Sequence, residues 1–242
     1  NWRSDFERIL AIVNESTDNK SKLIPELKHH YIVLVEQNIS GERNLVLPEA
    51  AYLHSEETDC FFQGNAVIKF VPGDVGKQFK DLLLVLEIAD SPRMIKFRTA
   101  DRSGRISYGW KREHGYGRGL DFFDINWEID GLDYAVAHPT VARSLLLWKF
   151  ILEIRKCIRG VVEYCTRQNF SNPTSKNEIS STGQLLIENY WLPDVNGNFY
   201  LPSSLLLSDL PDGFEKISSS ALELSEKLGM KQPERMQAVD FL

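Results

Sequence analysis

Apolar side chains cover more than half of the circumference of one predicted helix, and this stretch constrains the fold more than any other. The helix is predicted to begin at Pro139, which suits a first turn, and to continue to about Gln168 with a kink at Gly160. Its polar residues fall on one stripe. A helix that is apolar on several sides must be packed on several sides, so we expect it to be the central element, with Trp148, Ile151 and Leu152 in the core.

The remaining sequence alternates helix-like and strand-like patterns. Helical spacing of apolar residues predicts helices over Asp5–Val13 with Ser4 as N-cap, over Gly183–Asn189, and over Ser218–Leu228 with Gly229 after its end. A polar loop is expected over Ser16–Lys22.

Strand-like patterns in other segments, together with these helices, predict an α+β fold. The β-branched run Tyr31–Val35, a turn at Asn38–Gly41 and the run Asn44–Leu47 predict a hairpin. Asp124–Asp130 alternates between apolar and polar residues and predicts a strand with one wet face. We expect mixed or antiparallel strands in the N-terminal half, a long central helix, and a C-terminal hairpin plus helix. The predicted domains are an α+β unit at 1–120 and a helix-centred unit at 121–242, with a linker at 169–181.

Two segments, 39–94 and 195–236, share one order of features and predict an internal repeat. Each holds a glycine turn, a Leu-Pro pair (Leu47-Pro48 and Leu201-Pro202), and then a leucine-rich stretch ending at Ile88 or Met230. Both read as a strand capped by proline and followed by a helix, which in the first segment lies near Phe79–Ile88. We expect the two helices to bury Leu82, Leu83, Leu86, Leu222, Leu224 and Leu228. A repeated structural unit is more often a scaffold than a catalyst.

Composition excludes several classes of protein. The apolar fraction of 43% and the charged fraction of 26% are those of a globular chain, not a disordered one. The longest apolar run, Leu82–Leu86, is far too short to cross a bilayer, so no membrane partner is expected. Cys60, Cys157 and Cys165 do not form a disulfide or zinc pattern, which indicates buried thiols in a reducing, cytoplasmic compartment. Cys157 and Cys165 are eight residues apart on the predicted helix, which places them on one face and too far apart for a bridge. The chain begins at Asn1 without a methionine, so it is expected to be a segment of a longer protein.

Several segments together resemble a known family. They are Glu128–Leu132, Ala137–Thr140, Arg143–Trp148, Tyr190–Phe199 and Leu210–Phe214. They are similar to the region downstream of the ATPase in large bacterial sacsin-like proteins, and the likeness covers about half of the chain, best over 120–235. Such proteins carry a GHKL-type ATP-binding domain near their start, so the resemblance implies a chaperone-like or defence-associated machine inside the cell.

The ATP site of that family does not carry over to this chain. It needs an Asp-x-Gly-x-Gly loop that reads adenine, and the sequence contains no such loop. The resemblance therefore implies a non-catalytic interaction or coupling module, without a cofactor, whose partner is another protein or the rest of its own parent chain.

A basic and aromatic segment at 93–118 supports an alternative function. Net charge is 9 − 15 = −6 over residues 1–92, 14 − 9 = +5 over 93–170, and 5 − 10 = −5 over 171–242. Cations neutralise phosphates while aromatic rings stack on bases, so the segment suits single-stranded nucleic acid, although a solvated hairpin or an acidic protein surface would also explain it. The candidate anion-binding or nucleic-acid-binding residues are Arg98, Arg102, Arg105, Lys111, Arg112, Arg118, Tyr108 and Trp110.

Other motifs have simpler interpretations. The glycine-rich stretch His114–Gly119 could approach an anion but matches no phosphate-loop pattern, so a loop between strands is favoured. Asp124, Glu128 and Asp130 could hold a metal as in a nuclease, but along a strand they are spread over about 20 Å, so a solvated face is favoured. The sequence shows no Ser-His-Asp or Cys-His pattern typical of a catalytic site. We therefore assign neither catalytic nor metal-ligating residues.

Overall fold

The computed structural model describes residues 2–100, 120–166 and 174–232. The chain divides into two compact units, Asn1–Arg93 and Met94–Leu242. Helices alternate with small antiparallel sheets in the described residues, so the predicted α+β class is confirmed.

Two helices begin the first unit, and side-chain capping explains where the second one starts. α1 spans Trp2–Glu15 and α2 spans Thr17–Leu27. The hydroxyl of Ser16 accepts a hydrogen bond from the backbone N–H of Asn19 at 3.1 Å, which satisfies one free amide of the first turn. The predictions of a loop over Ser16–Lys22 and of an N-cap at Ser4 are therefore wrong, because Ser4 lies inside α1 and Ser16 is the cap of α2.

A three-stranded antiparallel sheet follows, in the order β2-β1-β3. Its strands are β1 (Val33–Gln37), β2 (Arg43–Val46) and β3 (Lys69–Phe70). The predicted hairpin is confirmed, with Val33 paired to Val46. Three short helices complete the unit: α3 (Glu56–Phe61), α4 (Gly73–Gln78) and α5 (Lys80–Val85).

The core of the first unit is built from side chains of α1, β1 and α5. Phe6 stacks on Trp2 with ring centroids 4.8 Å apart and meets Phe79 edge-on at 5.1 Å. Val33 and Leu83 are both fully buried. Burial of this apolar surface is the main stabilising contribution to the unit.

A four-stranded antiparallel sheet organises the second unit, in the order β4-β5-β6-β7. Its strands are β4 (Met94–Ala100), β5 (Leu120–Ile129), β6 (Arg159–Thr166) and β7 (Thr174–Ile179). Among its described residues, the unit has the helices α6 (Leu132–Ala137), α7 (Val141–Glu153), α8 (Ser181–Glu188) and α9 (Ser219–Lys227). A short hairpin of β8 (Leu192–Pro193) and β9 (Phe199–Tyr200) precedes α9.

The central helix is shorter than predicted. α7 ends at Glu153, a 3₁₀ turn covers Arg155–Ile158, and β6 then begins at Arg159. The second half of the predicted helix is rich in β-branched and aromatic residues (Val161, Val162, Tyr164 and Thr166), which favour a strand once partners are present on both sides. β6 has such partners in β5 and β7.

Two predictions that depended on that long helix also change. Cys157 lies in the 3₁₀ turn and Cys165 in β6, so the two do not share a helix face. The predicted burial is confirmed for Cys157 and is wrong for Cys60, which is half-buried. The predicted linker at 169–181 is in part β7 and the start of α8, while its residues 169–173 lie outside the described part of the chain. The expected burial in α7 holds for Trp148 and Ile151, whereas Leu152 is half-buried.

The boundary between the units differs from the predicted one at residue 120. β4 pairs with β5 from Met94, opposite Ile129, to Ala100, opposite Phe123. Residues 94–100 therefore belong to the sheet of the second unit, and the division falls after Arg93.

The Leu-Pro turn has the same backbone geometry in both units. Leu47 (φ −66°, ψ 147°) and Leu201 (φ −63°, ψ 142°) precede prolines that open a 3₁₀ turn. Pro48 and Pro202 are both buried, and the oxygen of each accepts a hydrogen bond from the N–H three residues on, at 3.2 Å and 3.1 Å. An antiparallel hairpin precedes each turn.

The helix that follows also ends in the same way in both units. At the end of α5 the N–H of Ile88 donates to the carbonyl of Leu83 at 3.1 Å, and at the end of α9 the N–H of Met230 donates to the carbonyl of Ser225 at 2.9 Å. The residue between has positive φ in each case, 62° for Glu87 and 69° for Gly229. These are two copies of the Schellman motif, which satisfies the last carbonyls of a helix.

After each helix the chain returns beside its own Leu-Pro turn. Tyr52 forms a parallel bridge with Ala89, and Leu206 forms a parallel bridge with Lys231. The helical prediction for Phe79–Ile88 is confirmed over Lys80–Val85, and the expected burial holds for Leu82, Leu83, Leu86, Leu224 and Leu228. It is wrong for Leu222, which is 50% exposed because the buried face of α9 is formed by Ala221, Leu224 and Leu228, and Leu222 lies outside that face.

Candidate functional site

One predicted site residue lies in the described part of the chain. Arg98 is on β4 and its side chain is exposed. The other seven, Arg102, Arg105, Tyr108, Trp110, Lys111, Arg112 and Arg118, lie outside the described residues, in the sequence between β4 and β5.

The described start of the basic segment places two cations and an aromatic ring on one face of the sheet. Lys96 pairs with Trp127 and Arg98 pairs with Ile125 across the two strands, and directly opposed residues share a face. The Nζ atom of Lys96 lies 5.5 Å from the centroid of the Trp127 ring, within cation–π range. This face combines positive charge with a partly accessible indole.

The predicted wet face of β5 is only partly wet. Asn126 is 3% exposed, because its Nδ2 donates to the Ser181 hydroxyl at 2.5 Å and its Oδ1 accepts from the Ser181 backbone N–H at 2.9 Å. Glu128 remains exposed and Asp130 is half-buried. Within the described ranges, no three histidine, cysteine or acidic side chains are grouped so as to hold a metal ion.

An acidic cleft lies at the end of β5. It has a volume of about 330 Å³ and is bordered by Trp127, Glu128, Asp130, Asp133 and Thr182. The Thr182 hydroxyl is already engaged, since it donates to the carbonyl of Trp127 at 2.7 Å. The cleft combines carboxylates with an indole wall, which suits a cationic group.

A paired histidine and aspartate in the first unit was missed from the sequence. His54 Nδ1 lies 2.5 Å from Asp59 Oδ1, and the His54 ring stacks on Phe70 with centroids 4.5 Å apart. His54 borders two cavities of about 200 Å³ and 190 Å³. The capping box of Ser55 and Thr58 could have indicated this pair. It begins α3 directly after His54, and the first turn of that helix then places Asp59 close to the His54 ring.

A third cavity in the first unit has a basic rim. It has a volume of about 320 Å³ and lies between α1, α2, α4 and α5. Lys20, Lys77 and Lys80 are exposed at its edge, and the buried side chains of Val13, Phe79 and Leu82 contribute to its lining. These lysines belong to none of the motifs found in the sequence.

In the described part of the second unit, two side chains have clearly shifted pKa values. Burial raises the pKa of the Cys157 thiol to about 12, so this group stays protonated and unreactive near neutral pH. Desolvation raises the pKa of Asp194, but hydrogen bonds from the backbone and side chains of Asn198 and Asn196 outweigh it and leave the value below the usual range. Asp194 is therefore a structural acceptor in the turn between β8 and β9.

Comparisons with known proteins give no family assignment. The chain matches no protein-family model, and neither the curated proteins nor the solved structures include a significant match to it. In the described residues, no helix has both the length and the apolar character needed to cross a membrane.

Proposed function

We propose that this chain is a non-catalytic interaction or coupling module of a larger sacsin-like GHKL ATPase that works as a chaperone-like or defence-associated machine in the cytoplasm. Its partner is another protein or the rest of its own parent chain. The observation that carries the proposal is the recurrence of one structural unit. In each copy a hairpin is followed by a Leu-Pro turn and a helix that ends in a Schellman motif, and the chain after the helix forms a bridge beside the Leu-Pro turn.

The recurrence supports a scaffold because its shared features are backbone features. Buried prolines, matched turn dihedrals and matched helix ends fix the path of the chain. A unit of this size cannot bury its own apolar face and must lean on neighbouring elements, as repeats do in scaffold proteins.

The segments that carry the resemblance also have structural roles. Trp191, in the Tyr190–Phe199 segment, is fully buried, and its Nε1 donates to the carbonyl of Leu186 at 2.7 Å. The hydroxyl of Ser144, in the Arg143–Trp148 segment, donates to the carbonyl of Trp191 at 2.5 Å. These contacts tie the short hairpin to α7 and α8, which is what a rigid coupling element requires.

Deletion in the parent protein tests the proposal. We expect the isolated chain not to hydrolyse ATP. We expect the parent protein to keep its basal ATPase rate but lose its response to the partner when this segment is removed. ATP turnover by the isolated chain that a point substitution within it abolishes would contradict the proposal, as would a parent reading frame without an ATPase domain.

A specific observation favours a second candidate, a nucleic-acid-binding module. Lys96, Arg98 and Trp127 share one face of the β4–β5 pair, at the start of the predicted basic segment. On a single strand, each phosphate contact contributes about 0.7 to the slope of log affinity against log salt. Replacing both cations with alanine should therefore lower the slope for single-stranded DNA or RNA by about 1.4.

The matched control for that assay is Lys22→Ala in α2. Lys22 is an exposed lysine that is ion-paired with Asp18 at 2.8 Å, and its loss should leave the slope unchanged. Binding that is absent at low salt, or a slope that is equal in all variants, would remove this second candidate.

A further inference from the structure

We propose that the basic cavity of the first unit, together with the apolar groove beside it, binds an acidic peptide segment of a partner protein. The inference rests on the proposed role as an interaction module and names the chemistry of the partner. The peptide would place a carboxylate over Lys77 and Lys80 and an apolar side chain on either side of it. These two lysines border both depressions.

Apolar side chains form part of the lining of both depressions. In the larger one, which also has polar walls, the half-buried Leu10 and Val85 lie against the core of the unit. In the smaller one, of about 190 Å³, Leu53 and Val71 line the wall beside Gly76. Apolar walls favour apolar side chains, because the ligand then removes its own apolar surface and that of the protein from water.

The rim supplies unpaired positive charge. No ion pair joins Lys20, Lys77 or Lys80 to an acidic group within the described residues, whereas Lys22 and Lys28 have partners at 2.8 Å and 2.5 Å. The first 92 residues carry a net charge of −6, from 9 − 15, so these lysines stand out in an acidic unit. Asp81 also borders the larger cavity, so the charged residues of its lining are three lysines and one carboxylate, with a net charge of +2. More distant carboxylates are screened beyond about 8 Å at physiological salt, and a ligand at the rim therefore experiences a net positive charge.

The shared border favours a peptide over a single small amphiphile. A fatty acid has one apolar chain on one side of its carboxylate, and it can fill one depression. Lys77 and Lys80 lie between two depressions, so full occupancy needs apolar groups on both sides of the acid. An acidic segment with leucines flanking glutamates meets this requirement, as amphipathic ligands do in other groove complexes.

Fluorescence anisotropy with the whole chain tests the assignment. The probe is a labelled short peptide of glutamates flanked by leucines, and its partner probe has glutamine in place of every glutamate. We expect the glutamate probe to bind wild type, and the double substitution Lys77→Glu with Lys80→Glu to weaken binding by about tenfold or more. Lys22→Glu is the matched charge control, since Lys22 lies outside both depressions and already has an acidic partner.

A second pair of variants tests the smaller groove. A Cβ atom added at Gly76 would lie 3.8 Å from Leu53 Cδ2 and 4.0 Å from Val71 Cγ1, which is ordinary contact, so alanine fits without displacing the wall. Gly76→Leu fills the groove and should weaken the glutamate probe, whereas Gly76→Ala should retain it. Circular dichroism melts of all variants show whether the fold is kept.

Each outcome decides one point. Equal binding of the two probes, or binding unchanged by the double charge reversal, overturns the proposal. Complete displacement of the peptide by a tighter-binding medium-chain fatty acid replaces the peptide with a small amphiphile. If neither probe binds while deletion of the segment still uncouples the parent ATPase, the groove is wrong and the proposed function stands.

Discussion

A buried glycine in α8 offers the sharpest test of the second unit. A Cβ atom added at Gly183 would lie 2.2 Å from the carbonyl oxygen of Ile158 and 3.1 Å from Ile179 Cγ2. Ordinary contact begins at 3.4 Å, so the helix would have to move by 3.4 − 2.2 = 1.2 Å or the 3₁₀ turn would have to yield. Gly183→Ala therefore has two opposing effects on stability. It raises the helix propensity of α8, and it creates a steric clash with the backbone of the 3₁₀ turn.

The clash outweighs the propensity. Glycine to alanine inside a helix contributes about 1 kcal/mol of stability, whereas overpacking a rigid site costs about 1–3 kcal/mol or more. The contact here is with a backbone carbonyl, which places the cost at the upper end. We expect Gly183→Ala to destabilise the second unit by about 2 kcal/mol.

Gly76→Ala in α4 is the matched control. It makes the same chemical change in a helix of the first unit, where the added atom meets only ordinary contacts. We expect it to stabilise that unit by about 0.5–1 kcal/mol. Hydrogen exchange followed by mass spectrometry during denaturant titration reports the two units separately, which matters because they need not unfold together. A Gly183→Ala protein as stable as wild type would refute the packing described for α8.

Four further outcomes are expected. Trp148→Ala should lower the free energy of unfolding by about 3–5 kcal/mol, measured by denaturant titration, because the indole is fully buried and donates to a backbone carbonyl. Iodoacetamide should label Cys60 in the native protein and label Cys157 only on unfolding, as read by peptide mapping, because Cys157 is buried with a raised pKa. Glu87→Gly should raise the melting temperature slightly, because the removal of about 1–2 kcal/mol of left-handed backbone strain outweighs the loss of the exposed ion pair with Lys28, which contributes about 0.2–1 kcal/mol. The stability advantage of wild type over Asp194→Ala should be complete above the unfolded pKa near 3.8 and shrink in urea titrations as pH falls through the lower folded value.

Elements with strong local signals were predictable from the sequence. The Ser218 cap accepts from the N–H of Ala221 at 3.1 Å and Gly229 adopts positive φ, so α9 begins and ends close to where the pattern placed it. The hairpin of β1 and β2 is likewise encoded by its own alternation and its glycine turn. In both cases the residues that define the element lie within it.

Elements that depend on distant partners were not predictable in the same way. The apolar residues after Glu153 fit a helix as well as a buried strand, and their pairing with β5 and β7 decides between the two. The alternating pattern predicts that Asn126 is solvated. In the fold it is buried, because it forms hydrogen bonds with Ser181, which is 55 residues away in the sequence. The polar stretch Ser16–Lys22 resembles a loop, but the Ser16 cap and the burial of Ile24 and Leu27 stabilise a helix there, even with Pro25 inside it.

The same distinction applies to the candidate sites. Composition identified the basic segment, of which the described part is the Lys96 and Arg98 face on β4. The lysine-rimmed cavity has no signature in any single window, because it combines Lys20 of α2 with Lys77 and Lys80 from a different part of the chain. A search for motifs finds dense local charge, whereas a groove requires the packing of several elements.

The two copies of the repeat differ in the segment between the Leu-Pro turn and the helix. In the second unit a short 3₁₀ turn at Leu207–Asp209 leads towards α9. In the first unit the corresponding stretch holds α3, β3 and α4, and it supplies Leu53, Val71 and Lys77 to the proposed peptide groove. The shared parts of the repeat satisfy backbone groups and fix the chain path, and that requirement is the same in both copies. Partner recognition does not require the same residues in both copies. The segment between the Leu-Pro turn and the helix can therefore differ, and give each copy a different binding surface, while the common scaffold is kept.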